Sequence, residues 1–320
     1  MVELGYALSS EEHQPDFLVR YAKMAEDAGF TFAFISDHFH PWTDRQGHSP
    51  FVWAVLGGIA RTTSSLRLAT GVTCPTIRTH PAIIAQVATT VAAMMPGRFA
   101  LGVGSGEALN EHIFGDHWPE ADVRLEMLEE SVEVIRALWT GDVVSHRGRH
   151  YVVENARIWT RPETPPEILV SGFGPKAVDV AARIGDGYVT TSPDQELLDR
   201  FRKQAREGAT TQAGFKVAWA DSKDQGIDYA HRIWPNAGLP GELAQVLPTV
   251  EHFEQASQLV TREATAESVA AGPDPKAHLE AFQPYLDAGF DEIYVANMGP
   301  QYADMIRAYG RKVLPELRRR

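Results

Sequence analysis

Short apolar runs alternate with longer amphipathic stretches along the whole chain. The apolar runs predict eight buried strands, at Leu4–Leu8, Phe32–Ser36, Leu66–Val72, Phe99–Val103, Ile168–Ser171, Gly187–Thr190, Phe215–Ala220 and Glu292–Ala296. The stretches between them predict helices, at Pro15–Ala28, Pro50–Ala60, Pro81–Met95, Asp122–Trp139, Pro175–Ile184, Gln195–Glu207, Asp274–Ala288 and Gln301–Leu317. Eight alternations predict an α/β fold of class (β/α)8, a closed TIM barrel of parallel strands. A doubly wound open sheet is the alternative, because periodicity alone cannot separate the two.

Two stretches interrupt this rhythm. Residues from about 143 to 160 contain tyrosine, valines and isoleucine in a pattern that predicts a short hairpin excursion after the fourth strand and its helix. Residues from about 223 to 271 form a polar, partly helical insertion after the seventh strand. Since no low-complexity linker divides the chain, we expect residues 1–320 to form a single barrel domain.

Composition narrows the class of protein. The formal net charge of -12 and the absence of a Lys/Arg stripe argue against nucleic-acid binding. No apolar stretch is long enough to span a membrane. The single cysteine, Cys74, excludes an internal disulfide framework. These features, with a start that has no signal-peptide layout, predict a cytoplasmic protein that acts on a small molecule.

The richest chemistry follows the second predicted strand. Asp37, His38, His40 and Trp42 stand together where that strand ends, and active sites of (β/α)8 barrels are built at the carboxyl ends of the strands. Asp37 and His38 are adjacent and should therefore face opposite sides. The alternative interpretation is a helix cap and a hydrogen-bonded loop histidine.

Three further strand ends carry polar or flexible residues. Thr70–Thr76 offers hydroxyl groups, and its Cys74 is interpreted as buried packing, since nothing nearby would lower a thiol pKa. Gly102–Glu111 contains three glycines, and Glu107 follows the last of them. We interpret Glu107 as a general acid or base. The alternative is an acid in the first turn of a helix, a position that the helix dipole favours. Ser171–Ala177 leads into a helix and is the best phosphate candidate. No ligand spacing supports a metal site.

Taken together, these motifs resemble one enzyme family. The stretches that carry the likeness are S-D-H-F-H-P-W from Ser36, P-T-I-R-T-H-P-A-I-I-A-Q from Pro75, P-G-R-F-A-L-G-V-G-S-G-E-A-L-N-E from Pro96, and G-D-G-Y-V-T-T-S from Gly185. They are similar to the F420-dependent branch of the bacterial-luciferase-like oxidoreductases, with the glucose-6-phosphate dehydrogenases and the secondary alcohol dehydrogenases as the nearest groups. The resemblance implies a luciferase-like barrel, a homodimer, and coenzyme F420 at the barrel mouth.

The resemblance also implies which residues bind the cofactor. It places Asp37 against the deazaflavin and a non-proline cis peptide at Gly71-Val72 behind the ring. Cys74 takes a position where the alcohol-dehydrogenase-like members also have cysteine. The remaining implied cofactor residues are Gly106, Glu107 and Asn110 along the cofactor, and Ser171, Gly172, Gly174 and Lys176 at its phosphate.

For the reaction, the resemblance implies hydride transfer between a substrate carbon and C5 of the deazaflavin. His38 would take the hydroxyl proton of an alcohol, and Trp42 would stabilise the transition state. Glu107 would protonate the reduced ring, and Glu11 falls on a family active-site glutamate. The cofactor carries the hard chemistry and the protein supplies position and proton management.

One departure bears on the substrate. Where the sugar-phosphate enzymes have a lysine after T-S, this chain has Pro193 and Asp194, and residues 251–267 contain no matching lysine and arginine pair. An aspartate there would repel a phosphate dianion. We therefore predict that the substrate is not glucose 6-phosphate, and we favour a neutral alcohol or its ketone. The alternatives are an F420-dependent sugar-6-phosphate dehydrogenase, an FMN-dependent luciferase-like monooxygenase, and a binding protein without catalysis on the same barrel.

Overall fold

The barrel predicted from the alternating pattern is present in the computed structural model, which describes residues 2–319. Within these residues, eight parallel strands close into one barrel with helices around it. In barrel order the strands are β1 (Glu3–Leu8), β2 (Phe32–Ile35), β3 (Arg67–Thr70), β4 (Phe99–Val103), β7 (Glu167–Ser171), β8 (Gly187–Thr190), β9 (Thr210–Ala218) and β11 (Glu292–Asn297). β11 pairs with both β9 and β1, and β8 also pairs with β9, so the ring is closed and the open sheet is ruled out.

Helices cover the outside of this ring. Those between barrel strands are α1 (Pro15–Ala28), α2 (Val52–Thr62), α3 (Pro81–Met94), α4 (Ala108–Glu111), α5 (Ala121–Trp139), α6 (Pro175–Ile184), α7 (Gln195–Gln204) and α12 (Pro275–Ala288). The chain ends with α13 (Tyr302–Ala308), a π-helical segment (Tyr309–Val313) and α14 (Leu314–Leu317). The helix predicted over Gln301–Leu317 is therefore confirmed, with a π-helical turn in its middle where the hydrogen bonding widens by one residue.

Two segments lie outside the regular alternation. β5 (Val144–Arg147) and β6 (Val152–Ala156) form a separate antiparallel hairpin between α5 and β7. Between β9 and α12 lie α8 (Lys223–Ile233), α9 (Leu243–Val246), α10 (Val250–Ser257), α11 (Arg262–Ser268) and the two-residue strand β10 (Ala270–Ala271). We call this segment, residues 222–272, the insertion.

The start of the seventh barrel strand was predicted incorrectly. The apolar run begins at Phe215, but β9 begins at Thr210 and pairs with β8 from that residue. Its first residues, Thr210–Gly214, are polar or small. They are buried because they face the barrel interior or the covering helices, so closure of the barrel rather than hydrophobicity sets this boundary.

The apolar core has two layers with different positions. The larger lies between the barrel and its helices. The smaller fills the inside of the barrel with Phe32, Phe34, Ala69, Leu169, Val189 and Tyr294. Phe34 and Tyr294 stack with ring centroids 4.7 Å apart. Among residues 2–319, none of the helices combines the length and apolar character that crossing a bilayer requires.

Candidate active site

The first two strands are tied together where they end, which sets the position of the residues that follow. The Ser10 N–H donates to Ser36 Oγ over 2.9 Å, and Ser10 Oγ donates to the Ser36 carbonyl over 2.7 Å. β1 and β2 pair in parallel up to Leu8 and Ile35. Glu11 and His38, 27 positions apart in sequence, therefore meet at the same end of the barrel.

His38 is buried, with 8% of its surface exposed, and its ring is held from one side. Nδ1 lies 3.2 Å from the His40 carbonyl oxygen and 3.1 Å from the Asn110 amide nitrogen. Nε2 lies 3.6 Å from Glu11 Oε1, which is beyond hydrogen-bond distance. When Nδ1–H donates to the carbonyl, the lone pair of Nε2 is the one that can accept a proton.

Glu11 is a buried carboxylate with its own donors. Ser9 Oγ and Ser36 Oγ donate to Glu11 Oε2 over 2.9 Å and 2.7 Å. Burial opposes ionisation of this carboxyl, but the nearby His38 and these hydroxyl groups outweigh it, so its pKa is lowered from its ordinary value. Glu11 is therefore placed to stabilise a positive charge on the His38 imidazole.

Asp37 faces away from His38, as the adjacent positions predicted, into a network of buried charges. Its carboxylate accepts from Thr73 Oγ1 over 2.8 Å and pairs with Arg78 Nη2 over 3.0 Å. Arg78 also pairs with Glu111 over 3.3 Å, and its backbone N–H donates to the same carboxylate over 2.7 Å. Burial raises the pKa of Glu111, and Arg78 only partly opposes this effect. The sequence did not single out Arg78 or Glu111, although an arginine inside an otherwise uncharged strand exit was a usable signal.

Asn110 joins the strand-2 and strand-4 exits. Its Oδ1 accepts the backbone N–H groups of Phe39 and His40 over 2.9 Å and 3.1 Å. Its Nδ2 donates to Glu107 Oε2 over 3.2 Å, besides its contact with His38. The sequence placed Asn110 along a cofactor. In the structure its amide is fully used in positioning His38 and Glu107, which brings these two predicted residues together.

The third and fourth strand exits have the expected backbone. The Gly71-Val72 peptide bond is cis, as the resemblance implied. Cys74 is buried, and burial raises the pKa of its thiol well above its ordinary value, which agrees with a packing role. Gly106 has φ +83°, and a Cβ on it would lie 2.5 Å from Cys74 Sγ, so the loop requires glycine here.

The exit of β7 presents backbone rather than side chains. Helix α6 begins after Gly174, and no side chain in the described chain caps it. A Cβ on Gly174 would meet none of the described atoms within 4 Å, so the helix start is accessible. Gly172 packs against Ala177, and Ser171 is half-buried beside it. Lys176 is 75% exposed at its side chain and pairs with Asp122 over 2.8 Å.

The insertion covers the other side of the mouth. Trp42 lies edge-on to the His38 ring, with centroids 4.8 Å apart, and edge-on to Phe253 of α10 at 5.0 Å. Gln46 fixes this arrangement. Its Oε1 accepts from the Trp42 backbone over 2.9 Å, and its Nε2 donates to the Ile233 carbonyl over 3.1 Å.

Three residues that the sequence did not single out complete this side. Glu12 accepts the Trp234 indole N–H over 2.5 Å and the Tyr302 hydroxyl. Burial raises the pKa of Glu12 to about 8. The Lys216 ammonium lies over the Trp234 ring, 4.6 Å from its centroid. Their contacts join β1, β9 and the insertion, so no local sequence signal could reveal them.

Comparisons with known proteins support the same family. The sequence profile described as luciferase-like monooxygenase matches residues 2–301. A curated relative from Microbacterium testaceum, named F420-dependent glucose-6-phosphate dehydrogenase, is 36% identical over 332 aligned positions, covering 100% of this chain and 98% of the relative. Another from Mycobacterium tuberculosis, named F420-dependent hydroxymycolic acid dehydrogenase, is 34% identical and covers 98% of this chain and 88% of its own.

A solved structure agrees with the sequence relatives. An F420-dependent secondary alcohol dehydrogenase in complex with an F420-acetone adduct superposes with a TM-score of 0.90 at 26% identity, covering 98% of both chains. A profile match over nearly the whole chain, curated relatives above 30% identity and a matching barrel lead to one conclusion: the chain belongs to the luciferase-like monooxygenase family.

Proposed function

We propose that this protein is an F420-dependent oxidoreductase that transfers a hydride between C5 of the deazaflavin and the carbon of an alcohol or carbonyl substrate. The dehydrogenase class and the cofactor agree with the names of the curated relatives and of the solved structure. The observation that carries the proposal is His38, buried at the barrel mouth with Nδ1 held and Nε2 beside Glu11.

The residues at the mouth fit this cofactor. The interior layer that contains Phe34, Leu169 and Tyr294 gives an apolar floor for a flat ring. The uncapped start of α6 offers backbone N–H groups of the kind that bind phosphate. We assign Gly106 and Glu107 to the ring and Ser171, Gly172, Gly174 and Lys176 to the phosphate end. When bound, F420 supplies the carbon that accepts or donates the hydride.

The residues of this chain manage the proton. His38 Nε2 takes the proton of the substrate hydroxyl, and the Glu11 carboxylate stabilises the resulting imidazolium. In the tautomer that leaves the Nε2 lone pair free, Nδ1–H donates to the His40 carbonyl, and this hydrogen bond keeps the ring from rotating. Glu107, half-buried and held by Asn110, supplies a carboxyl that gives or takes a proton at the strand-4 exit. Trp42 packs on the imidazole and limits access of water.

The surroundings of the expected phosphate site support a substrate other than glucose 6-phosphate. Asp194 Oδ1 accepts the Leu197 N–H and caps α7. Arg262, the only lysine or arginine among residues 251–267, is paired with Asp228 over 2.6 Å and with Asp224 over 3.5 Å. Neither position therefore offers a free cation. We expect slow turnover of glucose 6-phosphate, and brisk turnover at ordinary concentrations would contradict this part of the proposal.

Replacing His38 tests the reaction. In a deazaflavin absorbance assay with a panel of secondary alcohols and ketones, His38→Gln should lower kcat by about a hundredfold to ten-thousandfold. Its affinity for F420, followed by fluorescence quenching, should remain. The control is His146→Gln, in the hairpin outside the barrel sheet, which should keep both. Quenching of FMN instead of F420 would favour the monooxygenase alternative.

Assembly and location are proposed from the resemblance. We propose a cytoplasmic homodimer, and one surface supports the dimer. Ile83 and Met94 are exposed three helical turns apart on α3, and Gly57 of α2 lies beside Met94. Ile83→Glu should shift sedimentation velocity from dimer to monomer, whereas an unchanged dimer would place the interface elsewhere.

A further inference from the structure

Lys216 stands inside the barrel, where lysine is uncommon. Along β9 the side chains alternate: Phe215 packs outward on Phe282 and Tyr285 of α12, with centroids 4.8 Å and 5.0 Å away. A Cβ on Gly214 would collide with the interior Tyr294 ring. Lys216, two residues on, therefore faces the interior one layer above Tyr294, at the mouth.

The Lys216 ammonium has no acceptor in the described chain. Among residues 2–319, no carboxylate oxygen lies within 4.0 Å of it and no hydrogen bond holds it; its contact is the Trp234 ring. Burial lowers its pKa, and the nearby carboxyl groups of Glu11 and Glu12 oppose that shift. An ammonium carries three donors, and leaving them unmade in a half-buried site is costly.

The two nearest acids cannot serve as its partners. Glu11 accepts from Ser9 and Ser36 and faces His38. Glu12 accepts from Trp234 and Tyr302. Both carboxyl groups are directed elsewhere by these contacts, so they leave the donors of Lys216 to a ligand.

A chain of contacts connects the Lys216 ammonium to the His38 imidazole. Trp234, under Lys216, belongs to one apolar cluster with Trp42, whose ring lies on His38. Gln46 ties Ile233 to the Trp42 backbone, and Glu12 ties the Trp234 indole to the end of β1. The imidazole and the ammonium are thus connected through one apolar cluster that contains Trp234 and, packed against it, Trp42.

We propose that Lys216 and Trp234 form a substrate subsite for a carboxylate, so that the substrate is a hydroxy acid or the corresponding oxo acid. This inference rests on the proposed function and narrows its substrate from a neutral alcohol. A single ammonium matches a single negative charge. A phosphate dianion would add repulsion from the Glu11 carboxylate without a second cation to offset it. The Trp234 ring lies 4.6 Å from the Lys216 ammonium and therefore covers one side of it.

Matched substrate pairs test the subsite. 3-Hydroxybutanoate and 2-butanol differ only in carboxylate against methyl, as do 4-hydroxypentanoate and 2-pentanol. In F420 reduction, the wild type should favour the acid in kcat/KM by about tenfold or more, as a charge-assisted hydrogen bond allows. Lys216→Met should bring the ratio of kcat/KM for the acid to kcat/KM for the neutral alcohol close to one, and Lys216→Arg should keep part of the preference. The control is Lys203→Met, exposed near the end of α7.

An equilibrium measurement separates this proposal from the proposed function. In saturation-transfer NMR, the signals of 3-hydroxybutanoate should show binding to the wild type and to Lys203→Met but not to Lys216→Met. Carboxylate binding that depends on Lys216 without F420 turnover would overturn the dehydrogenase and retain the subsite. If neither the wild type nor Lys216→Met prefers the acid to the neutral alcohol, in kcat/KM or in binding, the subsite would be overturned and the dehydrogenase retained.

Discussion

The two sides of the barrel mouth differ in how their charges are paired. On the side of β2, β3 and β4, Arg78 bridges Asp37 and Glu111, and Thr73 completes the network. On the side of β9 and the insertion, no carboxylate among residues 2–319 pairs with Lys216, whose ammonium lies over the Trp234 ring. A buried ion network holds one arrangement, because removing any partner leaves an uncompensated charge. An unpaired cation is available to a ligand, so we infer that the first side is scaffold and the second selects the substrate.

The largest expected loss of stability comes from breaking the buried ion network around Arg78. Arg78→Met would leave Asp37 and Glu111 as buried carboxyl groups without their cation, and should lower the free energy of unfolding by about 3–5 kcal/mol in urea titrations. Arg149→Met is the matched control, since Arg149 pairs with Glu126 at the surface and should cost less than about 1 kcal/mol. Equal losses in the two variants would mean that the network is not the scaffold.

The pH dependence of stability tests the role of Glu12 on the side of the mouth that the insertion covers. Because its folded pKa is about 8 and its ordinary value is 4.5, the folded state holds a proton that the unfolded state has already released. Stability from this group is complete at acidic pH and falls as the pH rises from about 5 to about 8. Compared with Glu12→Gln, the wild type should therefore lose a few kcal/mol over this range.

Urea midpoints at several pH values would show this difference. Glu280→Gln, at an exposed position on α12, should follow the wild type across the same range. A Glu12→Gln profile parallel to that of the wild type would show that Glu12 does not hold the extra proton, and that its contacts with Trp234 and Tyr302 are those of a carboxylate.

The smallest expected loss of stability is that of an exposed ion pair. Lys176 and Asp122 lie 2.8 Å apart, but their side chains are 75% and 66% exposed. Lys176→Met should therefore change the free energy of unfolding by less than about 1 kcal/mol in urea titrations. A loss as large as that of Arg78→Met would contradict the view that burial, and not pairing alone, distinguishes the two sides.

Much of the site could be predicted from strand ends. His38, Trp42, Glu11 and Glu107 all lie at the carboxyl end of the barrel, and the cis peptide is at Gly71-Val72. His38, Trp42 and Glu107 were predicted from local motifs, whereas Glu11 and the cis peptide were implied by the family resemblance. The hydrogen bonds of the Asn110 amide could not be predicted, because Asn110 follows β4 while the partners in these contacts follow β2. The early start of β9 was missed because its first residues are polar or small.

The sequence by itself determined the alternation of strands and helices and the positions of the chemistry at the strand ends, while strand pairing decided that the sheet closes into a barrel. Buried parallel strands are continuous apolar runs, and the residues directly after them must gather at one rim. Only the tertiary structure decided which charges meet. Arg78 reaches carboxylates 41 positions before it and 33 after it, while Lys216 stands near Glu11 and Glu12 without contacting either. Such pairings depend on barrel closure and on side-chain direction within a few ångströms, and neither is encoded in any one segment of the chain.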